Sequence, residues 1–177
     1  MKDFPPKGAL ILIMVILGFD PGLATLGFGV IETNGHKHKM IEYGVISTPP
    51  DMPTPIRLRN IYTDVQTVID RFKPDAIAIE ELFFNNNVKT AINVAQARGA
   101  LLAAASMKTN ELYEYTPLQI KQAIVGYGRA DKHQIQQMVM YFLNLDKIPK
   151  PDDAADGLAA AICHAHTAKM SSQFKIK

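Results

Sequence analysis

Apolar residues along this chain fall into two kinds of run, short unbroken ones and longer ones spaced at helical intervals. Met14-Val15-Ile16-Leu17-Gly18-Phe19 is unbroken, rich in β-forming residues and closed by the turn signal Asp20-Pro21-Gly22, so it predicts an internal first strand. Residues 26–32 follow, with Phe28, Val30 and Glu32 alternating against Gly27, Gly29 and Ile31; residues 40–47 then complete a three-stranded meander. Pro49, Pro50, Pro53 and Pro55 mark a loop. From about Ile56, the residues Ile61, Val65, Val68, Ile69 and Phe72 share one helical face, and Pro74 stops that helix. Residues 75–80 predict a fourth strand, 88–107 a long Ala-rich helix, 111–115 a fifth strand, and 117–125 a short helix with Pro117 in its first turn. Gly126-Tyr127-Gly128 separates it from a helix at about 131–145, and the Pro-rich connector 147–151 leads into a last apolar helix. The string βββαβαβααα predicts one α/β domain, a mixed five-stranded sheet with helices on both faces.

The ends of the chain need separate treatment. Residues 9–19 have the length of a signal-peptide core, but no small-residue cleavage site follows, and the run is too short to span a bilayer. Residues 1–13 are therefore expected to be an N-terminal extension outside the fold, with Met14 as the functional start, residues 14–169 as the domain and 170–177 as a polar, flexible tail. With 177 residues, 47% of them hydrophobic, the chain can bury one sizeable core without disulfides. Its single cysteine, Cys163, lies in an apolar helix, which suggests a reducing, cytoplasmic setting. A net charge of +2 is too small to announce a nucleic-acid partner, so any such case rests on local patches.

Four carboxylates change that picture. Asp20 and Glu80 each close an apolar strand, while Asp153 and Asp156 open the last helix three residues apart, on one face. Two charges at about 5–6 Å repel by about 3 kcal/mol at an effective dielectric near 20, and gathering all four multiplies the cost. A divalent cation removes it, and an all-oxygen donor set selects hard ions such as Mg²⁺ or Mn²⁺ over zinc. Taken singly, each acid has an ordinary explanation, Asp20-Pro21-Gly22 as a turn and Asp152 or Asp153 as a helix cap. Capping, however, accounts for one aspartate of the final helix and not for a second on the same face, and strand stability does not ask for Glu80.

Ile16-Leu17-Gly18-Phe19-Asp20-Pro21-Gly22, Ile79-Glu80-Glu81-Leu82-Phe83, Gln96-Ala97-Arg98-Gly99, Ile120-Lys121-Gln122 with Val125-Gly126, and Asp153-Ala154-Ala155-Asp156 together resemble RuvC-type Holliday junction resolvases, in the family's order. The resemblance covers residues 14–168. It implies an RNase H-like fold, a homodimer, branch-migration motor proteins as partners, and Mg²⁺-dependent paired nicking of four-way DNA junctions during recombination and repair. Asp20, Glu80, Asp153 and Asp156 fall on the family's catalytic, metal-binding tetrad, and Lys121 and Lys132 on its basic positions near the scissile strand. Glu81 and Gly157 depart from its usual residues. Carboxylates of this kind hold two ions that activate a water and stabilise the leaving oxygen, with Asp20 as the bridging ligand and Asp156 or Lys121 as alternatives for orienting the water or the phosphate.

Lys89, Arg98, Lys121, Arg129, Lys132 and His133 are candidates for phosphate contacts, against an ordinary reading as solvated surface. Phe83 and Phe84 precede Asn85-Asn86-Asn87, and one of the two rings, with Phe83 the candidate, stacks on or wedges between opened bases unless both are core. Ala91, Ala95, Gly99 and Ala103 form a small-residue stripe that faces either the sheet or a dimer partner. His164 and His166, two apart on a helix, point in different directions and receive no metal role. The alternatives are another RNase H-like nuclease, acting on RNA–DNA hybrids or as a resolvase paralogue, and a junction-binding protein that does not cleave. An actin-like ATP-binding fold needs a second domain, for which the chain lacks room.

Overall fold

Why helices cover both faces of the sheet follows from how β-strand side chains alternate. In the structure, a computed structural model that describes residues 13–82 and 88–177, Ile16 on β1 (Met14–Asp20) and Ile31 on β2 (Thr25–Thr33) enter one core. Leu17, Phe19 and Val30 enter a second core on the opposite face. β3 (His38–Ser47) extends the antiparallel meander β1-β2-β3, while β4 (Ala76–Glu80) and β5 (Leu112–Tyr115) add in parallel beyond β1, giving the order β3-β2-β1-β4-β5. The mixed five-stranded sheet and the element order agree with the pattern in the sequence.

One face is covered by α1 (Thr54–Phe72), through Ile61, Val65 and Ile69, and by α2 (Val88–Ser106), through Ala97, Leu101, Ala104 and Ala105. The other face carries α3 (Pro117–Val125), α4 (Lys132–Phe142) and α5 (Asp152–Thr167). Of these, α5 is the central buried helix, apolar nearly all round from Leu158 to Cys163. Burial pushes the Cys163 thiol up to about 12, so this cysteine serves as a packing residue.

Close approach of α5 to the sheet depends on glycines. A Cβ placed on Gly18 would collide with the Gly157 carbonyl, and one on Gly27 with the Asp153 carbonyl. Gly157 answers from the helix side, because a Cβ there would lie 2.8 Å from the Phe28 backbone. Gly157, one of the two departures from the family's usual residues, thus sits where helix and strand backbones touch. This seat fixes the first turn of α5 over the ends of β1 and β2.

The C-terminus differs from the expected flexible tail. A 3-10 helix, Ala168–Phe174, leads to a bridge between Lys175 and Tyr113, and the Ile176 N–H donates to the Leu112 carbonyl at 2.9 Å. Lys175 Nζ pairs with Glu111 at 2.7 Å, and the Phe174 ring lies 4.8 Å from that of Tyr115. Backbone pairing occupies the open edge of β5, which an unpaired strand would otherwise present to other chains. The N-terminal extension inferred for residues 1–13 lies outside the described residues apart from Ile13, which is exposed. No described helix is long and apolar enough to cross a membrane.

Candidate active site

β1 and β4 are parallel neighbours paired through Phe19 and Ile79, so the next residue of each strand, Asp20 and Glu80, emerges at the same edge of the sheet. Above them the first turn of α5, seated on Gly27 and Gly18, brings Asp153 and Asp156 down from the helix. The cap position of α5 is Pro151, and no side chain caps the helix, which removes the ordinary explanation for its aspartates. Asp152 instead pairs with Lys150 at 2.6 Å.

A cavity of about 280 Å³ is lined by Asp20, Glu80, Asp156, Lys121 and Lys132, with Pro117, Ile120, Ile135 and Ala159 as its apolar wall. A second cavity of about 490 Å³ shares Asp20, Glu80 and Pro117 and continues past Glu81, Leu82, Thr90, Val94 and Arg98. Asp153 turns instead to a neighbouring cleft with Gly22, Thr25, Arg57 and Thr90. Three of the four acids therefore border one space, and the fourth stands beside it, near enough to influence Asp20.

The two lysines reach the cavity from two helices that start independently. Thr116 and Gln119 form a capping box at the head of α3, and Asp131 and Gln134 form another at the head of α4. These caps fix the entry of each helix and place Lys121 and Lys132 on the cavity wall. Lys132 Nζ lies 3.1 Å from Asp156 and 3.6 Å from Asp152.

The electrostatics show what the cluster lacks. Burial, then the charges of Glu80, Asp156 and Asp153, push the Asp20 carboxyl up to about 8 against the pull of Lys132. Burial and Asp156 raise Glu80 to about 7, opposed by Lys132 and Lys121. Asp156 is raised as well, mainly by burial, although Lys132 counters it. Burial works against the Lys132 ammonium, but Asp156 and Asp152 outweigh it and hold its pKa above the ordinary value. As the side chains stand, no three His, Cys, Asp or Glu residues among those described are arranged to hold an ion. The donor chemistry nevertheless fits a hard divalent cation: oxygen donors only, with burial first and then neighbouring negative charge raising Asp20 and Glu80, a cost that a bound cation offsets.

The other candidates separate. Arg98 lines the larger cavity but is bound to Glu114, and its Nε is buried with no hydrogen-bond partner. Arg129 and His133 are exposed and outside both cavities, with His133 3.1 Å from Gln137 Nε2. Phe83, Phe84 and residues 85–87, like the side chain of Lys89, lie outside the described residues. On α2, Ala95, Gly99 and Ala103 face solvent rather than the sheet; nothing lies within 4 Å of a Cβ built on Gly99, and Ile92 nearby is 53% exposed. Thr90, Val94 and Pro117 line the site without having been singled out in the sequence, where nothing but proximity in space marks them.

The family model for "Crossover junction endodeoxyribonuclease RuvC" matches residues 16–164. A protein of that name from Alkaliphilus oremlandii is 58% identical over 164 residues, covering 93% of this chain and all of the relative. Among solved structures, T. thermophilus RuvC in complex with Holliday junction substrate is 39% identical, with a TM-score of 0.85 over 92% of this chain and 98% of that one. The yeast mitochondrial Holliday junction resolvase Ydc2, at 14% identity and a TM-score of 0.64 over 93% of this chain and 88% of that one, shares the fold.

Proposed function

This chain belongs to the crossover junction endodeoxyribonuclease RuvC family, and from that premise we infer that it is an endonuclease that resolves four-way Holliday junctions by metal-dependent phosphodiester hydrolysis in recombination and repair. One observation carries the assignment to particular residues: Asp20, Glu80 and Asp156 border a single cavity with Lys121 and Lys132 on its wall. Acids raised by burial and by one another, and cations poised at the rim, are what a phosphate-cutting site requires before its metal and its DNA arrive.

Asp20, Glu80, Asp153 and Asp156 are the proposed ligands, with Mg²⁺ as the ion, Mn²⁺ as a substitute and two ions per site. Bound there, the metal supplies an activated water and charge compensation at the leaving oxygen. Lys132 has a flexible four-carbon stem, so its ammonium can exchange Asp156 for a phosphate oxygen of the scissile strand. Lys121, on the same wall, offers a second cation to that phosphate. Arg98 contributes less directly, since Glu114 already takes up part of its charge; Lys89, Arg129 and Phe83 are proposed DNA contacts from their residue type and place in the sequence alone.

A four-way junction has near-two-fold symmetry, so two matched cuts call for a C2 homodimer. The solvent-facing strip Ile92, Ala95, Gly99 and Ala103 supports α2 as the contact, because small residues there permit close helix approach. Family resemblance extends the reading to partnership with branch-migration motors. The test is to incubate the purified protein with synthetic four-way junction, linear duplex and RNA–DNA hybrid, each with Mg²⁺ or EDTA. Symmetric nicks in the junction alone, and only with Mg²⁺, are expected; preferential cutting of the hybrid would replace this reading with that of a hybrid nuclease.

A further inference from the structure

His166, on the last turn of α5, meets a partner that its sequence neighbourhood does not reveal. Its Nε2 lies 3.1 Å from Nε2 of His38, the first residue of β3, with the ring centroids 5.0 Å apart. We propose that His38 and His166 form a two-imidazole site for a transition-metal ion such as Zn²⁺, Ni²⁺ or Cu²⁺, which would clamp the β2–β3 hairpin to α5. The site is separate from the carboxylate cluster and independent of the nuclease reading.

Three observations converge on it. The first is distance: two nitrogens each about 2.0–2.1 Å from one ion lie about 2.9 Å apart at a right angle and about 3.4 Å apart in a tetrahedron, and 3.1 Å falls between. The second is the state of His166, whose Nδ1 lies 2.9 Å from the Ala123 carbonyl. A carbonyl only accepts, so Nδ1 carries the proton and Nε2 presents a lone pair toward His38. The third is the state of His38, whose Nδ1 lies 2.8 Å from Thr33 Oγ1. With the Thr33 hydroxyl donating, His38 donates its Nε2 proton to His166; with that hydroxyl rotated to accept, both Nε2 lone pairs face one point and a cation takes the place of the proton. Each ring is thus anchored through its far nitrogen, the arrangement that orients ligating histidines.

The surroundings select the ion. Imidazole donors favour Zn²⁺, Ni²⁺ and Cu²⁺ over Mg²⁺. Among the described residues no third His, Cys, Asp or Glu completes a set here, which leaves the remaining positions to water. Space for that water exists, because His38 borders an open cleft with His36, Met140 and Asn144.

Zn²⁺ titrated calorimetrically into the full-length protein, in excess Mg²⁺ to occupy the carboxylate site, tests the proposal together with thermal melts. The wild type should bind one equivalent and melt higher with Zn²⁺. His38→Gln and His166→Gln should each bind at least tenfold more weakly and lose the melting shift, while His36→Gln retains both. Metal-free melts of the same variants establish that each is folded. Wild-type Zn²⁺ affinity in either His38→Gln or His166→Gln, or a loss confined to His36→Gln, would overturn the proposal.

Discussion

Replacing Asp20 with Asn should make the metal-free protein more stable in alkali, an unusual outcome for a change at a partly buried strand end. The folded chain holds the Asp20 carboxyl near 8, against 3.8 for an unperturbed aspartate. A group whose folded pKa is raised stabilises fully below its unfolded value, and that stability is lost as pH rises through the folded one. Each pH unit between them costs about 1.4 kcal/mol. From pH 6.5 to 9 the loss amounts to about 2 kcal/mol from Asp20, with under about 1 kcal/mol added by Glu80, whose carboxyl is held near 7. For a chain of this length that corresponds to about 4–10 °C of melting temperature. The window begins at 6.5 because burial holds His38 and His164 down near 4, so they make stability rise with pH between about 4 and 6.5, the opposite slope. The assay is a series of thermal melts in EDTA across pH 6.5–9, repeated with excess Mg²⁺. Wild type in EDTA should lose stability across the window, Asp20→Asn should lose much less, and Mg²⁺ should restore wild type most at high pH. A wild-type melting point flat from 6.5 to 9 in EDTA, or an equal decline in Asp20→Asn, would refute the reasoning.

Lys132→Ala should weaken junction binding at every sequence and lower the slope of log K against log salt by about one, measured by fluorescence anisotropy over a salt series. Gly27→Ala places a methyl on the Asp153 carbonyl; overpacking of this sort costs about 1–3 kcal/mol, so a melt should show lower stability, and cleavage should fall as the first turn of α5 is pushed off the sheet. Gly99→Arg projects from a face with nothing within 4 Å, so ultracentrifugation should find a monomer with an unchanged melting point, and a dimer that persists would move the contact off α2.

Much of this architecture can be read from the chain because two central strands are unbroken apolar runs closed by acids. β1 and β4 announce themselves through Val15-Ile16-Leu17 and Ala76-Ile77-Ala78-Ile79, and the acid that follows each run falls at the same edge because the two strands are parallel. The seat of α5 was less visible. Gly27 and Gly29 look like weak points of a strand until a helix backbone is found lying on them. The pairing at the C-terminus is hidden for a different reason: residues 175 and 176 meet β5 through backbone groups that every non-proline residue carries, so polar composition does not reveal the contact. Arg98 is a candidate phosphate contact in the sequence, where nothing marks its pairing with Glu114, 16 positions away, which only the fold brings about. His164 and His166 point in different directions, as their spacing predicts, but their partners are not legible in the chain: His164 is buried against Tyr115, and His166 meets His38 128 residues earlier.

The central claim is that the carboxylate cluster cuts DNA while other residues hold it. The most direct measurement compares wild type, Asp20→Asn and Glu80→Gln on one labelled four-way junction, following cleavage by gel and binding by anisotropy in Mg²⁺ and in EDTA. Wild type should nick the junction symmetrically in Mg²⁺ and not in EDTA, and both variants should bind it with near wild-type affinity yet leave it intact. Full cleavage by either variant, or undiminished wild-type cleavage in EDTA, would contradict the account.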